Sequence, residues 1–284
     1  MSTTVEYAPL GLVGVLTPQA NTTVEPECSL LWPPGVAMLV ARMTSAGATI
    51  EARLADYHEA LEEHARQFAD APVGVLAVGV TGASYVVGPE AEDRRLAAWT
   101  GRLGRPVTNA ACALVAALHA LGARRVALVS PYPESLTRLS ATYWQARGFE
   151  LVRVRRLESP PGPGHPVYRL DGAAAGSVLT ELADAGADAV ILLGTGMPTL
   201  TTLASQPRVA GAAVLSSTLA LAWHALECLQ GRQHAPSPAT LHDMLSARAW
   251  RHRLDERLGH RPQNCTAQDG TAPPAAPGPD PRHP

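Results

Sequence analysis

Thr81 and Thr195 each close an apolar run and open a loop of small residues, Thr81-Gly82-Ala83-Ser84 in one place and Thr195-Gly196-Met197 in the other. Before each lies a second polar loop that also follows an apolar run: Pro18-Gln19-Ala20-Asn21 precedes the first, and Pro131-Tyr132 the second. Residues 11–18 echo 124–131, and 73–81 echo 188–195. Pro18 and Thr81 stand 63 positions apart and Pro131 and Thr195 64, so one pattern of strand, loop, helix and second strand occurs twice. Hydroxyls and free loop amides at helix starts make a cradle for a carboxylate or an enediolate. A threonine hydroxyl is not ionised near neutral pH unless a base adjoins it, and no histidine or carboxylate neighbours either threonine in sequence. The chemistry open to these residues is anion binding and oxyanion stabilisation. Two-base proton exchange and nucleophilic attack are disfavoured.

Composition narrows the field further. All 23 basic residues are arginine, so no lysine is present to form a Schiff base or to serve a P-loop. No GxGxxG follows a strand, and no His/Cys/Asp/Glu cluster has metal-ligand spacing; His58 and His64 flank a run of carboxylates and read as the solvated face of a helix. The expectation is a protein that works without a cofactor. A formal charge of −2 with no basic block gives no footprint for nucleic acid or for a membrane surface. The start Met-Ser-Thr-Thr-Val-Glu lacks a charged and apolar leader, and no apolar run reaches the roughly 18–20 residues of a membrane span. Cys28, Cys112, Cys228 and Cys265 show neither CxxC spacing nor a disulfide framework, which suits a reducing, cytoplasmic setting. The expected partner is a small molecule, with self-association into a dimer or larger assembly.

The elements that must position the loops read as alternating strands and helices. Strands are predicted at 11–17, 47–53, 73–80, 106–108, 125–130, 149–155, 188–193 and 212–216, several of them continuous apolar runs of the kind buried on both faces of a parallel sheet. Helices are predicted at 21–45, 56–69, 89–102, 111–121, 134–147, 172–185, 198–206 and 218–229. This is an α/β fold of two similar flavodoxin-like or Rossmann-like halves, each a mostly parallel four-stranded sheet flanked by helices, related by a pseudo-twofold axis with the site between them. The first half takes 9–104 plus about 217–230, and the second 105–216. Residues 231–284 add an arginine-rich helix at 239–258 and a Pro/Gly-rich tail whose composition cannot support a core. In such sheets ligands lie off the carboxyl ends of the strands, where the loops at 17–23, 80–85, 130–135 and 194–199 all fall.

The stretch Thr17-Pro18-Gln19-Ala20-Asn21-Thr22-Thr23-Val24-Glu25-Pro26-Glu27 resembles the Pro-Ser-Ser-Asn-Thr-Thr-Met-Glu-x-Glu signature of maleate cis-trans isomerases in the aspartate/glutamate racemase superfamily. Residues 113–132 resemble that family and its arylmalonate decarboxylase relatives, and with the repeat the similarity covers roughly 9–230. The resemblance implies that Asn21 holds a substrate carboxylate, that Tyr132 donates to a carboxylate or developing oxyanion, and that Pro18 shapes the same loop. It also implies that Thr81 and Thr195 occupy the two catalytic cysteine positions, with Gly82, Ala83, Ser84, Gly196 and Met197 adding backbone donors. Ser216, Ser217 and Thr218 follow the last strand as small hydroxyl residues do in the decarboxylases.

With both thiol positions held by threonine, the favoured reading is a cofactor-independent lyase, decarboxylase-like, acting on a small malonate-like or dicarboxylic acid through an enediolate. One alternative is an isomerase or racemase of a small carboxylic acid; another is a catalytically lapsed carboxylate-binding protein. The proton would come from Tyr132, from water, or from a relocated thiol. Cys112 is the thiol considered, because the start of its helix could lower its pKa, although a small buried hydrophobe is the commoner fate of a free cysteine. Asn21 also suits an N-cap, and the threonines could equally bond their own backbone. The insert Ser159–Pro166 covers the place of a further isomerase asparagine and carries His165 as a candidate acid.

Overall fold

The apolar runs of the sequence become the inner strands of two parallel sheets, buried on both faces as their lack of polar alternation requires. The computed structural model describes residues 5–162 and 165–259. The first sheet is built from β1 (Gly11–Pro18), β2 (Val36–Met43), β3 (Val75–Val78) and β4 (Val107–Asn109) in the order β2-β1-β3-β4, all parallel. Around it lie α1 (Val24–Leu31), α2 (Ile50–Glu59), α3 (Leu61–Ala65), α4 (Gly82–Val87) and α5 (Pro89–Leu103). After α6 (Ala110–Ala120) comes the second half, with β5 (Arg125–Ser130), α7 (Glu134–Ala146), β6 (Glu150–Arg156), α8 (Gly172–Ser177), β7 (Ala189–Leu192), α9 (Leu200–Ser205), β8 (Arg208–Val209) and β9 (Ala212–Ser216). Its order is β6-β5-β7-β9-β8, parallel except for the two-residue edge strand β8. The chain closes with α10 (Ser217–Leu229), α11 (Pro238–Ser246) and α12 (Arg248–Gly259).

Apart from β8 the two sheets have one strand order. In each, the chain leaves the first strand to one side and returns past it to the other. The order therefore reverses between β1 and β3, and again between β5 and β7, and a crevice opens beyond the carboxyl ends at each switch point. The four loops singled out by the repeat are the loops at those ends.

Several expectations require correction. The helix predicted at 21–45 ends at Leu31, because Pro33 and Pro34 cannot continue it and Gly35 turns the chain at φ +91°. Val36–Met43 then forms β2, and the strand predicted at 47–53 does not exist. There Thr49 caps α2, its hydroxyl accepting from the Ala52 amide at 3.1 Å. β4 pairs with β3, so the first sheet runs past the expected boundary at 104, and β8 makes the second sheet five-stranded. The helix predicted at 239–258 is broken at Ala247 into α11 and α12. The tail beyond Gly259, with Cys265, lies outside the described residues. His58 and His64 are buried rather than solvated, and His58 packs edge-on against Trp99 at 5.0 Å. Among the described residues no helix is long and apolar enough to cross a membrane.

The halves are joined by buried polar contacts as well as by packing. α10 returns to the first half, packing on β3, β4 and α1, and its Ala222 carbonyl accepts from the Trp32 indole at 2.9 Å. Glu92 of α5, fully buried, accepts from Asn109 at 2.6 Å, from the Tyr143 hydroxyl at 2.5 Å and from Arg147 at 2.6 Å, the last two belonging to the second half. Replacing Glu92 by alanine leaves Arg147 paired with Asp93 alone and takes the acceptor from the buried Tyr143 hydroxyl and the Asn109 amide, and the expected loss is about 2–4 kcal/mol of unfolding free energy. Urea denaturation measures it; a loss under about 1 kcal/mol would mean that this network does not hold the halves together.

Candidate active site

The loops after β1, β3, β5 and β7 line one cleft. Its floor is Pro18, Asn21, Thr81, Gly82, Tyr132, Gly194, Thr195 and Gly196; its other wall is the inner stripe of α2, Ile50, Arg53, Leu54 and Tyr57, with His165, Val167 and Tyr168 of the insert above. The structure thus brings together Pro18, Asn21, Thr81, Gly82, Tyr132, Thr195, Gly196 and His165 from the sequence expectation.

The rest lie elsewhere. Ala83 and Ser84 face a small neighbouring void, where Asn109 approaches Ser84 at 3.4 Å. Met197 is buried in the core. Ser216 caps α10, its hydroxyl accepting from the Leu219 amide at 3.2 Å, and Ser217 donates to the Leu192 carbonyl at 3.4 Å, so these hydroxyls serve the second sheet. Thr218 is buried beside Glu27 without a hydrogen bond of good geometry. Cys112 lies in a separate groove with His119, His224 and His234. Desolvation, reinforced by Glu92, pushes its thiol up to about 12, the reverse of the lowering expected from its helix start. Among the described residues no cysteine and no carboxylate lines the cleft. Among the described residues no cluster of His, Cys, Asp or Glu could hold a metal ion.

The loops of one half are tied to those of the other. The Asn21 side-chain oxygen accepts from the Thr23 and Val24 amides at 2.8 and 3.0 Å, which caps the start of α1, while its amide nitrogen donates across the cleft to the Thr195 carbonyl at 3.2 Å. Thr23 donates to the Gly196 carbonyl at 2.9 Å, and in the opposite direction the Thr195 hydroxyl donates to the Gly79 carbonyl at 2.7 Å. Arg42 at the end of β2 holds the first loop from below, donating to the Asn21 carbonyl at 2.6 Å and pairing with Glu25.

The two threonines are consequently unequal. The hydrogen of Thr195 is committed to Gly79. The Thr81 hydroxyl is buried without a hydrogen bond, close enough to Tyr132 to ease that phenol's ionisation slightly. A buried hydroxyl with no partner is uncommon, and here it sits where a ligand oxygen would satisfy it. The amides of Thr81, Gly82, Thr195 and Gly196 have no acceptor among the described residues either. Burial holds the Tyr132 phenol well above the ordinary tyrosine range, so it keeps its proton at neutral pH. Gly194 at φ +85° admits Tyr132: a side chain there would meet the hydroxyl at 3.1 Å and Pro131 at 3.0 Å. Burial and Arg53 lower the His165 pKa, leaving it neutral, and Tyr168 is pushed up to about 12.

Glu27 was not singled out for a role by the sequence. From α1 its carboxylate accepts from the Thr199 amide at 2.5 Å, the Leu200 amide at 3.1 Å and the Thr199 hydroxyl at 3.1 Å, holding the far end of the Thr195 loop at the start of α9. No cation is paired with it, and burial raises its pKa from 4.5 to about 7 in spite of those donors.

The sequence profile of the arylmalonate decarboxylase family matches residues 13–242. The chain belongs to that family. Among its relatives is the maleate isomerase of Nocardia farcinica, 32% identical over 231 residues, covering 76% of this chain and 89% of that protein. The maleate isomerase of Geobacillus stearothermophilus is 28% identical over 243 residues, covering 81% and 96%. The crystal structure of the maleate isomerase Iso from Pseudomonas putida S16 has a TM-score of 0.70 at 25% identity, covering 78% of this chain and 93% of that one. The Nocardia farcinica maleate cis-trans isomerase bound to Tris gives 0.68 at 30%, covering 78% and 92%. The homologues are cofactor-independent enzymes, and this chain shares their two-sheet α/β fold.

The Glu27 carboxyl predicts a pH dependence. Unfolded, it releases its proton near 4.5; folded, near 7. Between those values the unfolded chain holds fewer protons, so rising pH lowers stability, by roughly 3 kcal/mol in full. Glu27→Gln should abolish that decline, because glutamine's oxygen still accepts the two amides and nothing titrates. Unfolding free energies at pH 5 and 8 check this, and a decline that persists in the variant would assign it to another group.

Proposed function

We propose that the cleft binds a small carboxylic acid and that the protein is a cofactor-independent lyase, decarboxylating a malonate-like acid through an enediolate. The observation that carries the reading is the inventory of the cleft: buried hydroxyl and amide donors converge there, while thiol and carboxylate are absent from its lining. We also infer that Thr81 and Thr195 stand where racemase-superfamily relatives carry catalytic cysteines, because each follows the third strand of its repeat.

One carboxylate accepts from the loop amides and from the Asn21 amide hydrogen that otherwise makes only a 3.5 Å contact with the Thr195 hydroxyl. The other faces the apolar side chains of Val80 and Val167, where it loses its water. The bond between it and the α-carbon breaks, carbon dioxide leaves, and the electron pair passes through the α-carbon into the retained carboxylate. The Thr81 hydroxyl and the amides of Thr81, Gly82, Thr195 and Gly196 hold the resulting enediolate. The α-carbon takes the Tyr132 proton, and water reprotonates the phenolate. Thr81 and Tyr132 lie on one side of the cleft, so protonation from a single face and one product enantiomer are expected.

An isomerase is the second reading, supported by the maleate isomerases among the relatives. What supports the lyase over the isomerase is that addition to a double bond needs a nucleophile, and no thiol or carboxylate is among the described residues that line the cleft.

The test is turnover of α-substituted malonates, maleate and acidic amino acids in deuterated water, followed by NMR. Loss of carbon dioxide with one deuterium at the α-carbon is expected, and Tyr132→Phe should lower kcat by about 10²–10⁴-fold. Conversion of maleate without carbon dioxide loss would replace the lyase with the isomerase. Binding without turnover across the panel would leave only a carboxylate-binding protein, and indifference of turnover to both Tyr132→Phe and Asn21→Ala would put the chemistry outside this cleft.

A further inference from the structure

The stripe of α2 that faces the cleft is Ile50, Arg53, Leu54 and Tyr57, the i, i+3, i+4, i+7 spacing of a buried helix face, with a guanidinium in an otherwise apolar and aromatic row. Arg53 is the sole formally charged side chain among the lining residues. It has no ion pair among the described residues: its one hydrogen bond runs back to the Thr49 carbonyl at 3.4 Å. The carboxylates of its own helix are engaged elsewhere, Glu51 accepting from Ser135 at 2.8 Å and Asp56 from Ser45 at 2.5 Å. Arg42, by contrast, is neutralised by Glu25.

We propose that Arg53 selects a substrate whose α-substituent ends in an acidic group, making the substrate a malonate with an acidic side chain rather than an alkyl or aryl one. This rests on the reading of the cleft as a carboxylic-acid site. Arg53 is ill placed to serve the carboxylate that leaves: a guanidinium paired with it stabilises the reactant and is lost in the transition state, which slows the reaction. Nor is it needed at the cradle, which has its own uncharged donors. A cation in the wall across from the cradle is useful to a third, unreacting acidic group. The surroundings favour such a contact, because Tyr57, Tyr168 and a neutral His165 lie within electrostatic reach of the partly buried guanidinium, and a fork of N–H donors matches a carboxylate's two oxygens. Tyr168 in turn packs on the Thr195 loop: a side chain at Gly196 would meet its ring at 2.8 Å. The specificity wall and the cradle are thus in direct contact.

The test compares binding of 2-carboxyethylmalonate with its uncharged isostere 2-carbamoylethylmalonate, by calorimetry on the full chain. The wild type should prefer the acid by tenfold or more, Arg53→Leu should bring the two within about twofold, and Arg53→Lys should keep most of the preference. Asn21→Ala should weaken both ligands alike and leave their ratio unchanged. A wild-type ratio near one, or a preference that survives Arg53→Leu, overturns the role of Arg53 while leaving the cradle standing. Failure of both ligands to bind, or indifference of both to Asn21→Ala, overturns the cradle and this inference with it. Urea midpoints matching wild type establish that the Arg53 variants are folded.

Discussion

The site depends on two loops from different sheets hydrogen-bonding each other's main chain. Thr195 donates to Gly79 in one direction; Asn21 and Thr23 donate to Thr195 and Gly196 in the other, and Glu27 holds the start of α9 behind them. Neither sheet could shape its loops alone, since each loop's polar groups find partners in the other half. Docking of the halves and assembly of the cleft are therefore one event. The Glu92 network and the return of α10 to the first sheet keep that arrangement from relaxing. Burying Glu27 without a cation is destabilising, and its compensation is the fixed position of the amides it accepts from.

That arrangement also decides which proton chemistry the cleft can support. Burial acts on every acid near it in the same sense, raising the phenols of Tyr132 and Tyr168 and, with Arg53, keeping His165 neutral. The phenols of the cleft therefore hold their protons, and the neutral His165, offered by the sequence as an acid, has no proton to give near neutral pH.

Much of this was legible in the residues. The repeat spacing of 63 and 64 positions located all four loops, and the apolar runs located the inner strands, because burial on both faces leaves a continuous hydrophobic signature. β2 was missed: its alternation of Met38, Val40 and Arg42 is weak, and a helical reading ran through Pro33-Pro34, which should have stopped it. The strand expected at 47–53 hid the first half of α2, and with it Arg53, while Tyr57 fell inside the helix expected at 56–69 with nothing to mark it as facing a cleft, since a stripe facing a cleft looks like a stripe facing a core. Cys112 was weighed by its helix start alone, whereas desolvation by residues distant in sequence dominates its pKa. Glu27 stood in the signature, but that its partners are Thr199 and Leu200 is a property of the docked halves that no local pattern carries.

Duplication supplies a symmetric frame, and the chemistry uses it asymmetrically. Equivalent positions after β3 and β7 both carry threonine, yet one hydroxyl has its hydrogen committed to the opposite loop and the other has none to bond. The difference follows from the partners: Gly79 presents a carbonyl to Thr195, while Thr81 faces the Tyr132 phenol and the open cleft. One copy has become the fastener and the other retains a donor for a ligand. With its hydrogen held by Gly79, Thr195 serves as a clasp, and of the two equivalent hydroxyls only that of Thr81 is unpartnered among the described residues. The frame is therefore symmetric in its strands and unsymmetric at its cleft, where Thr81 and Tyr132 lie together and the α2 stripe with Arg53 completes the lining.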